Sequence, residues 1–497
     1  MKIFDNSIFD KKTFFQCLLA LLAITVVQKF TKGEGYAVLM VPLALFSLAK
    51  NRIEQVMFWL VSSMLIIIGN QFFLPKGASF FIAQRALFGL IGLYAISKIA
   101  GRRQSRLVSP FLGMLIYLIY MTFTAFAGWN PTISLLKLFL FALIYMTYYS
   151  VANLAGQSPR FSERKMRSII LAISSYFVFG SVAIIPFPAI SQLSGEEYLA
   201  ALQSGQQVLS LFKGMSLHSQ MLGPVVASIF ALVLSDLVVN VRKANGLYLG
   251  LIIVCPFLIY KTSSRTAMAA FLMAILMAGF CAMKMRGIGA RWRGKVRACL
   301  FAVMALSAVA VVSVPSLRDS IVRFALKYNA EAKAGDFTVE EAMSSRQGLI
   351  DRQLENFRRS PAIGNGFQVS EEQKFLKNAS WKQLLSAPIE KGVWITAILE
   401  EGGLIGWVIL VCFYAILCLT LLKRGAYTGL SVLCVMLVSN MAEFTMFSMS
   451  AMGGYTWCLV FVGTAMDAAR IKRDNGSLMQ ENMVYYATRE EYAYAPS

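Results

Sequence analysis

Long apolar runs alternate with short polar links along almost the whole chain. A helix needs about 20 apolar residues to cross a hydrocarbon core of about 30 Å, so runs of this length predict membrane spans. We count about fourteen such runs, of which the second is short and the twelfth is long. Their predicted positions are 14–30, 36–50, 55–74, 80–98, 108–127, 132–154, 167–187, 216–240, 247–261, 265–284, 297–315, 393–422, 426–446 and 449–467.

This pattern predicts an all-α fold, a polytopic membrane helix bundle with about 14 transmembrane helices. Hydrophobic residues make up 57% of the 497 residues and charged residues only 15%, which argues against a soluble globular domain. The first run follows Lys11 and Lys12 and lacks a small-residue cleavage site, so we expect a retained span rather than a removed signal. All eight cysteines lie in apolar runs without paired spacing, and we expect neither a disulfide nor a metal site.

The net charge of +21 is spread over the short links rather than gathered on one soluble surface. We therefore expect a lipid bilayer as partner and no nucleic acid. Lys and Arg favour cytoplasmic links. The basic links alternate correctly when both termini are cytoplasmic, in a bacterial inner membrane; they are 98–106, 160–167, 242–243, 284–297 and 423–424.

One long polar loop interrupts the apolar pattern and is predicted to lie on the periplasmic side. The chain then divides into spans 1–11 (1–315), this large periplasmic loop (316–392), spans 12–14 (393–467) and a polar cytoplasmic tail expected to be disordered (468–497).

The loop contains the segment SSRQGLIDRQLENFRRSPAIGNGF at 344–367. Ile350, Leu354 and Phe357 recur at helical spacing and Pro361 stops the run, which predicts an amphipathic helix on or near the membrane surface. The glycines of the following GNGF predict a tight turn.

Three short motifs in this order resemble the O-antigen ligase and Wzy-type polysaccharide polymerase superfamily. They are TSSRTAM at 262–268, Arg346 followed by the amphipathic helix and P-x-x-G-x-G, and a span that opens with L-E-E-x-G-L-I-G. The resemblance covers roughly residues 210–465. It implies a GT-C-like fold and an inverting, metal-independent glycosyltransferase that needs no cofactor. It also implies a donor glycan on undecaprenyl diphosphate and a glycan acceptor.

A diphosphate donor needs fixed cations, because negative charge develops on the leaving group as the glycosidic bond breaks. Guanidinium groups suit this role, since they stay charged and bind phosphate oxygens in a bidentate fork. Our catalytic candidates are Arg265 and Arg346. Arg352 is a weaker third, and Lys213 or Lys391 would supply additional substrate-binding cations.

The acceptor hydroxyl needs a proton acceptor within hydrogen-bond reach. The resemblance implies a His in the loop just before the next span, but this loop contains none. Glu390 occupies that place, so it is our candidate base. The chain's one histidine, His218, lies at the outer end of the eighth span and is a candidate for sugar binding. Glu443 is a further candidate, because acids inside spans are costly to bury.

The cationic candidates also have ordinary structural interpretations. Arg265 could anchor its span by snorkelling to the interface. Arg346 could be a surface charge on the loop helix, and Arg352 could pair with Asp351 or Glu355.

The remaining candidates have structural interpretations of the same kind. Glu390 could pair with Lys391 or Lys382, His218 could cap its helix, and Glu443 could be a buried structural acid.

Three functions compete at this point. The first is a polymerase of lipid-linked repeat units of an O-antigen or exopolysaccharide, with a flippase and a chain-length regulator as further partners. The second is a ligase that transfers the glycan to lipid A core; the missing loop histidine favours the polymerase. The third is a flippase or transporter. Such proteins are often built from two related halves, and we find no internal repeat here.

Overall fold

A computed structural model of the chain describes residues 9–77, 79–100, 105–158, 161–192, 212–240, 245–262, 264–284, 339–369, 393–441, 445–448 and 452–493. Within its helices, the side chains of 219, 240, 339–346 and 475–493 fall outside this description. Across the described ranges the structure is helical, with two isolated β-bridges and no strand.

The described helices are numbered in chain order. They are α1 (Lys11–Phe30), α2 (Val41–Ala49), α3 (Ile53–Ile68), α4 (Phe80–Ile99), α5 (Met114–Ala127), α6 (Pro131–Gln157), α7 (Glu163–Ala183), α8 (Pro188–Ser191), α9 (Ser219–Asn240), α10 (Gly246–Lys261), α11 (Arg265–Lys284), α12 (Val339–Arg359), α13 (Trp394–Lys423), α14 (Tyr427–Ser439) and α15 (Met452–Ala493). A π-helical turn (Tyr36–Met40) precedes α2, and a 3-10 turn (Ser109–Gly113) precedes α5.

Eight of the described helices are long and apolar enough to cross a membrane, and four shorter apolar helices accompany them. The prediction of a multi-pass helical membrane protein is therefore confirmed. The predicted eleventh span, 297–315, lies outside the described residues, while the predicted fourteenth falls in the first part of α15.

Several predicted boundaries differ from the structure; for example, the thirteenth run was expected to reach residue 446, but α14 ends at Ser439. The third run was expected to continue to residue 74, but α3 ends at Ile68 although Phe72 and Phe73 are apolar. The chain turns there because Asn70 binds two carbonyl groups of a distant segment, those of Ile190 and Gly214, at 2.9 and 3.0 Å. Helix α15 continues to Ala493, and the disordered cytoplasmic tail over 468–497 stays a prediction.

The alternation of the helices, together with hydrogen bonds between several links, groups the links into two ends of the bundle. One end carries 69–77, 127–130, 184–192, 212–218, 262, 264, 360–369, 440–441 and 445–448; the other carries 50–52, 105–108, 158, 161–162, 245 and 424–426. We refer to them as the predicted outer end and the predicted inner end, following the distribution of basic links.

Small residues bring the helices of the C-terminal half close together. A Cβ atom at Gly223 of α9 would come within 2.6 Å of the Ala267 Cβ atom on α11. Ala270 and Ala274 continue the same buried face of α11. Small residues allow such close approach between helices in a bilayer. The start of α11 is thereby held against the first turns of α9.

A buried ion network closes the predicted inner end. The Arg167 guanidinium on α7 donates to both carboxylate oxygens of Asp236 on α9, at 2.8 and 3.2 Å, and to Glu163 at 2.5 Å. Arg473 on α15 donates to the second oxygen of Glu163 at 2.7 Å, and the Tyr248 hydroxyl of α10 donates to Asp236. The network therefore ties four helices together.

Candidate functional site

The predicted outer end contains a break in helix α13, inside the motif LEEGGLIG. Gly403 has φ 62° and ψ −167°, a backbone conformation that is almost restricted to glycine. A Cβ atom there would come within 2.3 Å of the Ala362 carbonyl oxygen. The break therefore makes room for the chain of the long loop to lie directly on the helix backbone.

The GNGF turn fills this break. Gly364 has φ 73° and Gly366 has φ 107°, so both glycines of the turn use their conformational freedom. The amide groups of Asn365 and Gly366 donate to the carbonyl groups of Glu400 and Glu401, at 2.9 and 3.0 Å. A broken helix in a membrane protein must have its freed backbone groups satisfied by protein. Here the loop satisfies them.

Side chains reinforce this contact through a cluster that we call the polar latch: Gln353, Asn356, Asn365, Thr396 and Glu400. The Asn356 Nδ2 group of α12 donates to Glu400 Oε1 at 2.8 Å. Asn365 Nδ2 donates to the Asn356 carbonyl oxygen at 3.0 Å, and the Thr396 hydroxyl donates to Gln353 Oε1 at 2.5 Å. Because all members except Thr396 are buried, the latch fixes α12 to the first turns of α13.

The loop continues from the turn into the bundle interior. Phe367 is fully buried, with ring centroids of Phe141 and Phe447 at 6.0 and 5.5 Å. Its amide group donates to the Ser134 hydroxyl oxygen at 2.8 Å, and Lys137 Nζ donates to the Gln368 carbonyl oxygen at 3.0 Å. Residues 360–369 are thus an inserted segment anchored on α6 and α13. The amphipathic helix predicted for the membrane surface leads directly into it.

A second outer segment, residues 212–218, carries two of the predicted binding residues. Lys213 is half-buried, and its amide donates to the Ser191 carbonyl oxygen at 2.7 Å. His218 is exposed at the start of α9, where its own carbonyl group accepts the amides of Met221 and Leu222. The backbone of His218 therefore begins the helix, while its side chain faces outward.

Arg265 is the first residue of α11 and is half-buried. The residues around it, Thr262, Ser264 and Ala267, lie against Gly223 in the second turn of α9. The structure thus places Arg265 and His218 on neighbouring helix starts at the same end of the bundle.

The arginines of α12 occupy different positions. Arg346 lies in the helix, but its side chain is outside the described residues, so its convergence with Arg265 remains a prediction. Arg352 is exposed one turn before the latch residue Asn356. Of the two acids predicted as its partners, Glu355 pairs with Arg359 at 3.1 Å and Asp351 accepts Gln347 at 2.8 Å.

Three predicted site residues, Glu390, Lys391 and Glu443, lie outside the described residues. Their predicted roles therefore stay predictions. Val393, which follows the first two, is described, and α13 begins at the next residue.

The sequence analysis missed the buried acids of α13. Glu400 is 3% exposed and Glu401 is 0% exposed. The available signal was two adjacent carboxylates within a long apolar run, each of which must find polar partners when buried. The amides of Asn356 and Asn365 gave no such signal, because exposed asparagines are common on loops.

Burial lowers the pKa of Lys76, which lies in the outer loop after α3. Lys76 donates to the Ile67 carbonyl oxygen, and desolvation lowers its pKa from 10.5 to about 8. The described part of the chain places no group of three or more His, Cys, Asp or Glu side chains suitably for a metal ion. Arg265, Lys213 and His218 all lie at this end of the bundle, and their predicted roles in substrate binding stay predictions.

A comparison with known families matches the part of the chain that holds Arg265 and the long loop. Residues 247–391, from α10 through the long loop, match the sequence model of the O-antigen ligase family. The family resemblance drawn from the motifs is therefore confirmed over this region. No curated protein shows significant similarity to the chain.

Proposed function

Because residues 247–391 match the model of the O-antigen ligase family, we propose that the chain is a membrane glycosyltransferase of the polymerase type. It joins oligosaccharide repeat units carried on undecaprenyl diphosphate, at the periplasmic face of a bacterial inner membrane. The observation that carries the proposal is this match, because it spans both Arg265 and the loop that holds Arg346 and Glu390.

The proposed reaction displaces a lipid diphosphate from a sugar. The acceptor hydroxyl oxygen attacks the anomeric carbon of the donor and the bond from that carbon to the diphosphate oxygen breaks. Undecaprenyl diphosphate leaves with the electron pair. Glu390 takes the hydroxyl proton, and attack from the face opposite the leaving group inverts the anomeric centre. The diphosphate is already a good leaving group, so cationic side chains can stabilise it without a metal ion.

Arg265 and Arg346 hold the diphosphate in this proposal, with Arg352, Lys213 and Lys391 as further cations. Guanidinium groups match the geometry and charge of diphosphate oxygens. His218 binds a sugar near the start of α11, and Glu443 is a further substrate contact. The close approach of Gly223 to α11 supports the pairing of Arg265 with His218.

The polar latch has a positioning role in the proposal. Arg346 lies ten residues before Asn356 in the same helix, about 15 Å along the axis at 1.5 Å per residue. A helix fixed at Asn356 through Glu400 holds its earlier turns in a defined direction over the predicted outer end. Residues 353–366 are then the fixed base of the loop rather than a freely opening flap.

The test is an assay of the purified full-length protein with a lipid-diphosphate-linked repeat unit in the presence of EDTA. A ladder of products of increasing length is the expected result. Transfer of a single glycan to added lipid A core, with no ladder, would establish the ligase alternative. Movement of the lipid-linked unit across vesicles without new glycosidic bonds would contradict both enzymes and establish a flippase.

Replacement of Glu390 by Gln tests the proposed base. Gln keeps the size of the side chain but cannot accept the proton. We expect product formation to fall about 100-fold or more, in the range for general base catalysis, while donor binding persists. Unchanged turnover would show that another group accepts the proton.

A further inference from the structure

The inserted segment lies along the start of helix α6, which precedes the region of the family match. The Trp129 amide donates to the Asn365 carbonyl oxygen at 3.1 Å, and a Cβ atom at Gly128 would come within 2.3 Å of the same oxygen. Further along, the Phe367 amide donates to the Ser134 hydroxyl oxygen at 2.8 Å. The two stretches of chain therefore run side by side, and each step along α6 meets the next part of the segment.

Lys137 makes the last of these contacts. Its Nζ atom donates to the Gln368 carbonyl oxygen at 3.0 Å, and the residue is only 9% exposed. One turn further into the bundle, the Phe141 ring packs against Phe367. An ammonium group is costly to bury among membrane helices, so its presence there points to a role for the contacts that it makes. The contact on the page is with the backbone of the loop.

Gln368 has an unusual backbone conformation. Its φ of 50° makes it one of three non-glycine residues with positive φ in the part of the chain that the structure describes. A residue with a Cβ atom stays in this left-handed region only when its surroundings hold it there. Gly364 and Gly366 meet the same requirement earlier in the segment without a side chain. Gln368 needs outside support, and the buried ammonium group of Lys137 binds its carbonyl oxygen.

We propose that Lys137 is a positioning residue for glycosyl transfer. Its ammonium group holds Gln368 in the left-handed conformation and so fixes the point at which the loop leaves α6. The loop carries Arg346 before this point and Glu390 after it, so the placement of the two proposed catalytic groups relative to each other depends on it. This inference rests on the proposed function, and it gives a helix outside the family match a part in the reaction.

Two substitutions of Gln368 test this role while Lys137 stays in place. Glycine adopts positive φ readily, whereas the proline ring locks φ near −65°. In the lipid-linked polymerisation assay, Gln368→Gly should keep the wild-type kcat. Gln368→Pro should lose about 100-fold in kcat, as for displacement of catalytic groups by about 1 Å, with KM for the donor unchanged. Wild-type kcat in folded Gln368→Pro protein would overturn the proposal.

Substitution of Lys137 itself separates positioning from substrate binding. Lys137→Met should lower kcat in the same way as Gln368→Pro. The double variant Lys137→Met/Gln368→Gly should recover most of the lost kcat, because glycine needs no support for positive φ. A raised KM for the donor in Lys137→Met, without recovery in the double variant, would show that Lys137 binds the substrate and would overturn the positioning role.

Trypsin cleavage after Lys374, in the loop beyond Gln368, gives a measurement that does not depend on activity. Cleavage of the purified full-length protein should be faster in Gln368→Pro and Lys137→Met than in the wild type, and unchanged in Gln368→Gly. Absence of product from the wild-type protein would refute the proposed function. Product from the wild type, with equal cleavage rates in wild type and Gln368→Pro, would overturn this inference alone.

Discussion

The two ends of the bundle bury polar groups in different ways. At the predicted inner end, guanidinium groups meet carboxylates, with Arg167 bridging Asp236 and Glu163. At the predicted outer end, amides, a hydroxyl group and backbone groups meet the broken helix α13, with Asn356 donating to Glu400. One end is closed by charge pairs, and the other by neutral donors around an inserted loop.

This difference separates structural arginines from candidate substrate-binding arginines. A buried arginine that is bound to two carboxylates cannot also receive a diphosphate. The outer end builds its loop anchor from amides and glycines, and it presents Arg265 and His218 at helix starts. The comparison therefore supports the proposed phosphate binding at the outer end, since the described arginine of the inner-end network, Arg167, is bound to carboxylates.

Loss of Arg167 should give the largest effect, because it removes the guanidinium partner of the buried Asp236 and one of the two cations bound to Glu163. Arg167→Met should destabilise the fold by about 3–5 kcal/mol, the usual cost of breaking a buried pair. The measurement is thermal unfolding of the detergent-purified protein. Arg473→Gln is the control, because the Arg473 side chain is 60% exposed and its loss should cost less than about 1 kcal/mol. Wild-type stability of Arg167→Met would refute the assembly role.

The break in α13 can be tested at either glycine of the contact. Gly403→Ala or Gly364→Ala should cost about 3 kcal/mol, since each needs positive φ and each Cβ atom would meet backbone within 2.4 Å. Protease sensitivity of the loop should rise together with the loss of thermal stability. Gly348→Ala is the control on α12, because nothing lies within 4 Å of the added Cβ atom. If all three variants have the same thermal stability and the same protease sensitivity, the turn is not inserted into the break of α13.

The hydrogen bond that Asn356 donates to Glu400 can be removed by one substitution and restored in the opposite direction by a second. Asn356→Asp sets two carboxylates against each other and should lower the free energy of unfolding by about 2 kcal/mol. Adding Glu400→Gln supplies a donor in the opposite direction and should restore most of the stability. Glycosyl transfer should follow the same order, with kcat rather than KM affected. If the double variant does not recover the free energy of unfolding, Glu400 acts through a contact other than the one with Asn356.

Lys76 should give the smallest effect, visible only in alkaline solution. Its pKa is about 8 in the folded protein against 10.5 in the unfolded chain, so the unfolded chain binds more protons between these values. The free energy of unfolding should therefore rise from pH 8 towards pH 10.5. In Lys76→Met this rise should be smaller than in the wild type, as measured by Tm against pH. The exposed Lys32 supplies the control, since Lys32→Met should keep the wild-type slope.

The sequence predicted the elements that depend on local pattern. The apolar run at 265–284 coincides with α11, and the spacing of Ile350, Leu354 and Phe357 correctly indicated a helix. Local pattern could not show that α3 ends at Ile68, because the carbonyl groups that hold Asn70 come from residues more than 100 positions away.

The candidate site was predictable only in part, for the same physical reason. An arginine at the start of a span is visible in one stretch of sequence, and so are the glycines of GNGF. The latch joins Asn356 to Glu400 across 44 positions, and the Gly223 contact joins α9 to α11. Such pairs follow from the packing of distant helices, which no single stretch of sequence encodes.

The most direct test of the outer-end site compares Arg265→Gln with Arg424→Gln in the lipid-linked polymerisation assay. Arg424 is exposed at the inner end, so its variant should form product at the wild-type rate. Arg265→Gln should lose about 100-fold or more in kcat, as for removal of one charge-stabilising donor, with an unchanged Tm. Wild-type turnover by folded Arg265→Gln protein would contradict the placement of the catalytic site at the predicted outer end.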